Sequence, residues 1–320
     1  MSIAIITGIT GQDGAYLAKL LLSKGYRVIG VTRNNHSLNK SKLDYLKIDS
    51  KVEIYECDLS DLSSVINMFS IYKPKEVYNL AAQSSVGLSF SQPIGTLQFN
   101  IVSVLNLLET IRLVSSETRF YQASSSEMYG KVQNLPVKIS TPMHPLSPYA
   151  ISKCTAHWIV VNYRESYDLF ACNGVLFNHE SFLRTNNFFV KKVISSSVLN
   201  QNNADWVLEV GNIDVKRDFG YSPKYVEAMW LLLQQEQPKD FIICSGISIS
   251  LREIIEYVFN KLSIPLDRLK ISKELYRPAE INDIYGDNAD AKDILKWKYN
   301  MSFYEVLDKL IKEEIDFMNK

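Results

Sequence analysis

Residues 3–25 read IAIITGITGQDGAYLAKLLLSKG, and their order decides the fold. Ile3 to Thr7 is a continuous apolar run, the pattern of a short strand covered on both faces. Gly8, Gly11 and Gly14 follow at once, and small residues there let a backbone approach a bound group closely. Leu17, Leu20 and Leu21 then fall at helical spacing, and Gly25 supplies a stop. Strand, glycine turn and helix open a βαβ unit whose helix N-terminus offers free N–H groups and a positive dipole end to a pyrophosphate. A tight turn without any ligand uses the same glycines, so the rest of the chain must decide.

The rhythm continues outward. Stretches 27–32, 52–57, 76–82, 119–124 and part of 168–177 read as strands, with helical patterns over 61–71, 95–114 and 148–167. This alternation predicts right-handed crossovers and a parallel sheet. The expected class is therefore α/β, a Rossmann-type doubly wound sheet with a smaller α/β C-terminal lobe. After Phe177 the strands shorten. FVKKVISSSV and YVEAMWLLLQQ look helical, WVLEVG and FIICSG look like short strands, and LREIIEYVFNKL and SFYEVLDKLIKEEIDFM are amphipathic helices. The expected division is an NADP-binding domain over 1–177 and a mainly substrate-binding lobe over 178–320, with some chain exchange. Residues 34–50 read as a mobile loop.

Composition excludes several classes. Lys+Arg and Asp+Glu are equal at 35 each among 320 residues, which argues against a nucleic-acid surface. The four cysteines are widely spaced and read as reduced structural thiols, with no metal site expected. The N-terminus lacks the basic region of a signal peptide, and no segment reads as a membrane span of ~20 apolar residues. A cytoplasmic protein is expected.

At the end of the second predicted strand stands Arg33, with no acid beside it. A ribose with a free 2′-OH usually meets Asp or Glu there, whereas arginine suits a 2′-phosphate. NADP is expected over NAD; a solvated arginine is the plainer alternative. Asp58 and Leu59 follow the third strand, where an adenine would be held, although Asp58 equally suits a helix cap.

Tyr149 and Lys153 stand at i and i+4 in YAISK, so they share a helix face. An ammonium near a phenol favours phenolate, which makes Tyr149 a candidate general base toward a sugar hydroxyl. Residues 124–130, SSSEMYG, place Ser125 and Glu127 where the fifth strand leaves the core. A capping acid is the ordinary reading of Glu127.

With these features together, the chain resembles the extended short-chain dehydrogenase/reductase family, and within it the enzymes that dehydrate GDP-sugars. The resemblance is carried by TGITGQDGAYLAKLLLSKGY, NLAAQSSVGLSF, RFYQASSSEMYGKVQ, SPYAISK, VNYRESYDLFACNGVLFNHES, KRDFGYSPKYVEAMWLLLQQ and RPAEI. It implies Ser125, Glu127, Tyr149 and Lys153 as catalytic residues, with Ser125 in place of the family's threonine. It implies cofactor contacts from Gly8, Ile9, Thr10, Gly11, Gln12, Asp13 and Gly14, from Asp58 and Leu59, and from Leu80, Ala81, Ala82, Gln83 and Ser84. His179 and Arg184 are expected near the nicotinamide and phosphates, although a buried histidine is more often part of the core. Asn178, Ser85 and Lys192 are expected to touch substrate, and Arg217, Arg277 and Glu280 the GDP moiety.

The implied reaction is 4,6-dehydration of GDP-mannose or a close relative such as GDP-manno-heptose; a GDP-sugar C4 oxidoreductase or epimerase is the alternative. A homodimer or homotetramer is implied, with helices 95–114 and 148–167 as the candidate dimer face. The chain also departs from the family. Phe182, Leu183, Arg184 and Thr185 replace Pro-Arg-Arg-Gly, and Phe182 and Leu183 are expected to reshape the sugar pocket. The loop RNNHSLNK has one arginine where the family has a pair reaching a neighbouring subunit, and DFGY replaces DWGH.

Overall fold

A computed structural model describes residues 1–35 and 38–319. Seven parallel strands form the large sheet: β1 (Ile3–Thr7), β2 (Arg27–Thr32), β3 (Glu53–Glu56), β4 (Glu76–Asn79), β5 (Arg119–Ser125), β6 (Ala171–Leu176) and, much later, Phe241–Ile243. Between β6 and that last strand come β7 (Asn178–Glu180), β8 (Leu208–Val210) and β9 (Lys216–Tyr221), which makes Phe241–Ile243 β10. The order is β10-β6-β5-β4-β1-β2-β3. Strand order reverses between β1 and β4, and a doubly wound sheet opens its ligand crevice at that switch point.

Alternation along each strand divides the core. Ala4 and Ile6 face one side, where Leu17 and Leu21 of the helix Gln12–Ser23 meet Met229 and Leu232 of the helix Ser222–Leu233. Ile5, Val77 and Phe120 face the other, against Val65 and Phe69 of Leu62–Tyr72, Leu107 and Ile111 of Pro93–Val114, and Val160 of Pro148–Tyr167. Pro93–Val114 is long and apolar enough to cross a membrane by length and composition, contrary to the sequence-based expectation of no such segment. Its two asparagines, one glutamine and two threonines interrupt the apolar run that a reading by eye looks for. In the fold it packs lengthwise on Pro148–Tyr167.

Further strands β11 (Ser248–Ser250), β12 (Leu269–Ile271) and β13 (Asp283–Ile284) complete the chain. β9 pairs with β7, β11 and β13, while β8 pairs with β12. A separate core joins Val193 and Ile194 to Ile254, Val258, Leu307 and Leu310. Two of its helices begin with capping boxes, Ser250 with Glu253 and Ser302 with Glu305, each contributing about 1 kcal/mol. Residues after 177 also return to the large sheet, through Ser222–Leu233 and β10.

Local hydrogen bonding explains where elements differ from the sequence reading. β4 stops at Asn79 instead of running to Ala82, because the N–H groups of Leu80 and Ala81 donate to Thr7 Oγ1 at 3.0 and 3.1 Å. The expected loop over 34–50 contains a short helix, Ser41–Tyr45, anchored by buried Leu43; the part of that loop at His36 and Ser37 lies outside the described residues.

Candidate active site

The glycine turn is built for close approach. Gly8 has φ +71°, and a Cβ there would lie 2.9 Å from the nitrogen of Ala81. A Cβ on Gly14 would lie 2.3 Å from the carbonyl oxygen of Gly8. Gly11 donates to that same oxygen at 2.9 Å and caps Gln12–Ser23 without a side chain over the first helical N–H groups. This is a cradle that any side chain would fill, and it fits a dinucleotide pyrophosphate. Beside it, a cavity of about 150 Å³ is lined by Gly8, Thr10, Thr32, Arg33, Leu59 and Ala81.

Three expected cofactor contacts are otherwise engaged. Ile9 is buried in the core. Asp58 closes a local turn, accepting from Ser60 N at 2.9 Å, and the following helix is capped by Asp61 instead. The Gln83 side chain donates to Thr96 Oγ1 at 3.1 Å and accepts from Ser85 N. Leu80, Ala82, Ser84 and Ser85 line the main cavity.

Gln12 and Asp13 stitch the two halves of the chain together. Gln12 Nε2 donates to the His179 carbonyl at 2.9 Å, and Ser181 Oγ donates to Gln12 Oε1 at 2.8 Å. Asp13 accepts from Ser222 Oγ at 2.7 Å and faces His179 Nε2 at 2.8 Å. His179 Nδ1 faces the Phe177 carbonyl at 2.7 Å. Both ring nitrogens therefore meet acceptors, so both carry protons and the ring is an imidazolium. Burial pushes the His179 pKa down, but Asp13 reverses this and leaves it raised. Burial likewise pushes Asp13 up, and the His179 charge and the hydrogen bonds from His179 and Ser222 pull it below its ordinary value.

The main cavity, about 400 Å³, collects Ser125, Glu127, Tyr149 and Lys153 with Asp13, His179 and Arg184. Ser147 caps the helix Pro148–Tyr167 by accepting from Ala150 N at 3.1 Å, with Pro148 in its first turn, and this fixes Tyr149 at the helix mouth. Ser125 ends β5 and accepts from Glu127 N at 3.3 Å, so the turn after the strand brings the Glu127 carboxylate to the cavity. Lys153 Nζ donates to the Ala123 carbonyl at 2.7 Å and stands 5.9 Å from the centre of the Tyr149 ring.

The expected depression of the phenol is not present in the protein alone. Burial dominates and lifts Tyr149 to about 12, against a hydrogen bond with Ser125 that lowers it. Burial also brings Lys153 down to about 8, so its ammonium persists at neutral pH.

Asn178, Arg217, Arg277 and Glu280 line the same cavity. Arg217 is held by donation to the Ile281 carbonyl at 2.6 Å, and its Nη2 lies 3.7 Å from Glu280. Lys192 lies outside it, donating to the Glu209 carbonyl at 3.0 Å. Phe182 and Leu183 do not line the pocket. Phe182 stacks on Tyr45 at 4.8 Å and packs on Phe317 at 5.3 Å, while Leu183 is buried in the core. Sequence reasoning missed Glu180, Asn187 and Phe188, which do line the cavity. Glu180 sits inside the quoted NHES run, and that was its only signal.

Sheet, glycine cradle and Tyr149–Lys153 pocket together define the class, an extended short-chain dehydrogenase/reductase fold. Solved structures share it: the UDP-glucose 4-epimerase of Thermotoga maritima aligns with TM-score 0.88 at 22% identity over 99% of this chain and 100% of its own. The dTDP-glucose 4,6-dehydratase of Streptomyces venezuelae, solved with NAD, aligns with TM-score 0.88 at 17% identity over 99% and 97%. Within that class, residues 5–310 match the family of GDP-mannose 4,6 dehydratase. The GDP-mannose 4,6 dehydratase of Drosophila melanogaster is 39% identical over 99% of this chain and 87% of its own length. Those of Vibrio cholerae and Homo sapiens are each 40% identical, over 98% and 99% of this chain and 93% and 92% of theirs. The chain belongs to the GDP-mannose 4,6 dehydratase family.

Proposed function

We propose that the protein is an NADP-dependent dehydratase that converts GDP-mannose to its 4-keto-6-deoxy derivative. The observation that carries this reading is the convergence of Glu127, Ser125 and Tyr149 on one cavity with Arg217, Arg277 and Glu280. The names of the relatives support the substrate. When bound, the oxidised nicotinamide supplies a reversible hydride acceptor and a positive charge that favours phenolate.

The chain's own groups move the protons. Tyr149 takes the proton of the C4 hydroxyl as that carbon is oxidised. The resulting ketone acidifies the C5 hydrogen, and Glu127 removes it. The C6–O bond breaks, and Glu127 returns its proton through Ser125 to the departing hydroxyl, which leaves as water. With the hydride that the bound cofactor would give back at C6, Tyr149 would deliver its stored proton to C5. Protons and hydride balance, and one water is lost. Ser125 is suited to its part because its hydroxyl lowers the Tyr149 pKa and accepts from the Glu127 backbone N–H at 3.3 Å.

Gly8, Gly11 and Gly14 would hold the pyrophosphate, while His179 and Arg184 line the main cavity. Arg33 supports NADP, since among the described residues it is the one charged side chain lining the smaller cavity. The described face of Pro93–Val114 and Pro148–Tyr167 supports a homodimer: Ile94, Ile151 and Trp158 are 71%, 45% and 57% exposed, an apolar surface that a second copy would cover.

The test is mass spectrometry of GDP-mannose incubated with the purified protein, without added reductant. A nucleotide sugar lighter by one water is expected. An epimerised or unchanged sugar refutes the assignment. Titration with NADP and NAD is expected to favour NADP, and Arg33→Glu to reverse that preference.

A further inference from the structure

The cavity wall holds a buried ionisable group to which neither the reaction nor the expected ligand contacts give a role. Glu180 ends β7, lines the cavity and is 2% exposed. Among the described residues its Oε2 has no hydrogen-bond partner. Arg184 Nε lies 3.7 Å from that oxygen and also lacks a partner. The two attract as charges at a separation too long for a hydrogen bond. The Arg184 guanidinium rests 3.5 Å over the Phe188 ring and reaches the cavity.

The charged groups facing Glu180 come from every neighbouring element. His179 lies on the same strand, Asp13 on the helix Gln12–Ser23, Arg184 on the loop after β7, and Lys191 on the helix Phe189–Asn200. His179 is already paired with Asp13, and Lys191 with Glu314. Arg184 is therefore the counter-charge left to Glu180. Burial raises the Glu180 pKa, and the positive charge of Arg184 and then His179 works against it. A buried carboxylate with no donor is costly as an anion, so its charge depends on Arg184.

We propose that Glu180 is the resident counter-ion of Arg184 and that it takes up a proton from solvent when a pyrophosphate ligand engages Arg184. This rests on the dinucleotide reading of the cavity. In the free protein Asp13, His179, Glu180 and Arg184 sum to zero formal charge. Phosphate oxygens add negative charge to the same wall. One guanidinium cannot neutralise two anions beside a carboxylate that is 2% exposed, and protonation of Glu180 restores the balance. Affinity for the ligand then falls as pH rises, by up to about tenfold per pH unit, across the range where Glu180 is ionised in the free protein and protonated in the complex. That range lies above the ordinary carboxylate value, because burial has already lifted the free group.

The experiment is isothermal titration calorimetry of the full chain with NADP, in phosphate and in Tris at one pH. The difference in apparent enthalpy between the buffers counts the protons exchanged. Comparing wild type with Glu180→Gln cancels the titration of the ligand's own 2′-phosphate. The wild type is expected to take up about one proton more than the variant. Arg184→Met, whose Glu180 is already protonated, is expected to bind more weakly and to match Glu180→Gln in proton count. It supplies the comparison if Glu180→Gln does not fold. Equal counts in wild type and variants overturn the proposal. Absence of any NADP or NAD binding would instead sink the dinucleotide reading beneath it.

Discussion

Replacement of Glu127 by glutamine separates the two halves of the proposed reaction. Glutamine keeps the size and shape of the side chain, and the backbone bond from residue 127 to Ser125 Oγ is untouched. Folding and ligand binding should therefore persist. Oxidation at C4 depends on Tyr149 and Lys153, which stand on a different element, the helix Pro148–Tyr167. It should proceed near its normal rate. Elimination depends on a carboxylate that can accept the C5 proton and return it, and an amide does neither. Loss of a positioned general acid–base lowers the rate by about 10²–10⁴-fold, or roughly 3–5 kcal/mol in activation free energy. The assay is stopped-flow absorbance of the reduced nicotinamide, with mass spectrometry of the quenched products. Glu127→Gln is expected to build up reduced cofactor and a 4-keto sugar that still carries its C6 oxygen. Dehydration within a few-fold of wild type would refute the role of Glu127, as would an equal loss of the oxidation step.

Three further outcomes follow from particular contacts. Gly14→Ala places a Cβ 2.3 Å from the Gly8 carbonyl oxygen, so NADP binding should be lost in calorimetry while the circular dichroism spectrum stays native; wild-type affinity would show that the turn relaxes freely. Asp13→Asn removes the partner of the His179 imidazolium. Asp13 is lowered, so its contribution to stability is full above its ordinary 3.8 and fades as pH falls through the lower folded value. His179 is raised, so its contribution is full below its ordinary 6.5 and fades as pH rises through the higher folded value. The melting-temperature gap between wild type and Asp13→Asn should thus be widest between those two ordinary values and close on either side; a gap independent of pH would show that the pair is not ionised. Trp158→Glu puts a charge on the exposed apolar face and should yield monomers in analytical ultracentrifugation, whereas an unchanged sedimentation coefficient would remove this face as the interface.

The fold was legible because strands and helices repeat their signals. Ile3–Thr7 is an apolar run closed by one threonine, strand and helix patterns alternate through the first half of the chain, and the leucines after Gly14 keep helical spacing. The cavity residues from strand ends and helix mouths were legible for the same reason, since an element fixes where its last side chain stands. Ser125 and Tyr149 are of this kind. Loop side chains have no such constraint. Phe182, Leu183 and Arg184 are adjacent in sequence, yet Phe182 stacks outward on Tyr45, Leu183 enters the core, and Arg184 alone reaches the cavity. Nothing in their spacing separates these fates. Pairings across long separations were hidden too: Asp13 and His179 stand 166 residues apart, and each reads locally as a lone ligand contact. The departure at Phe182 therefore bears on how the loop after β7 is braced against the C-terminal helix Phe303–Met318 through Phe317. Neither Phe182 nor Leu183 lines the cavity itself. The side chains of that neighbourhood that do face the space are Phe188 and Asn187 on the loop and Leu275 beside Arg277.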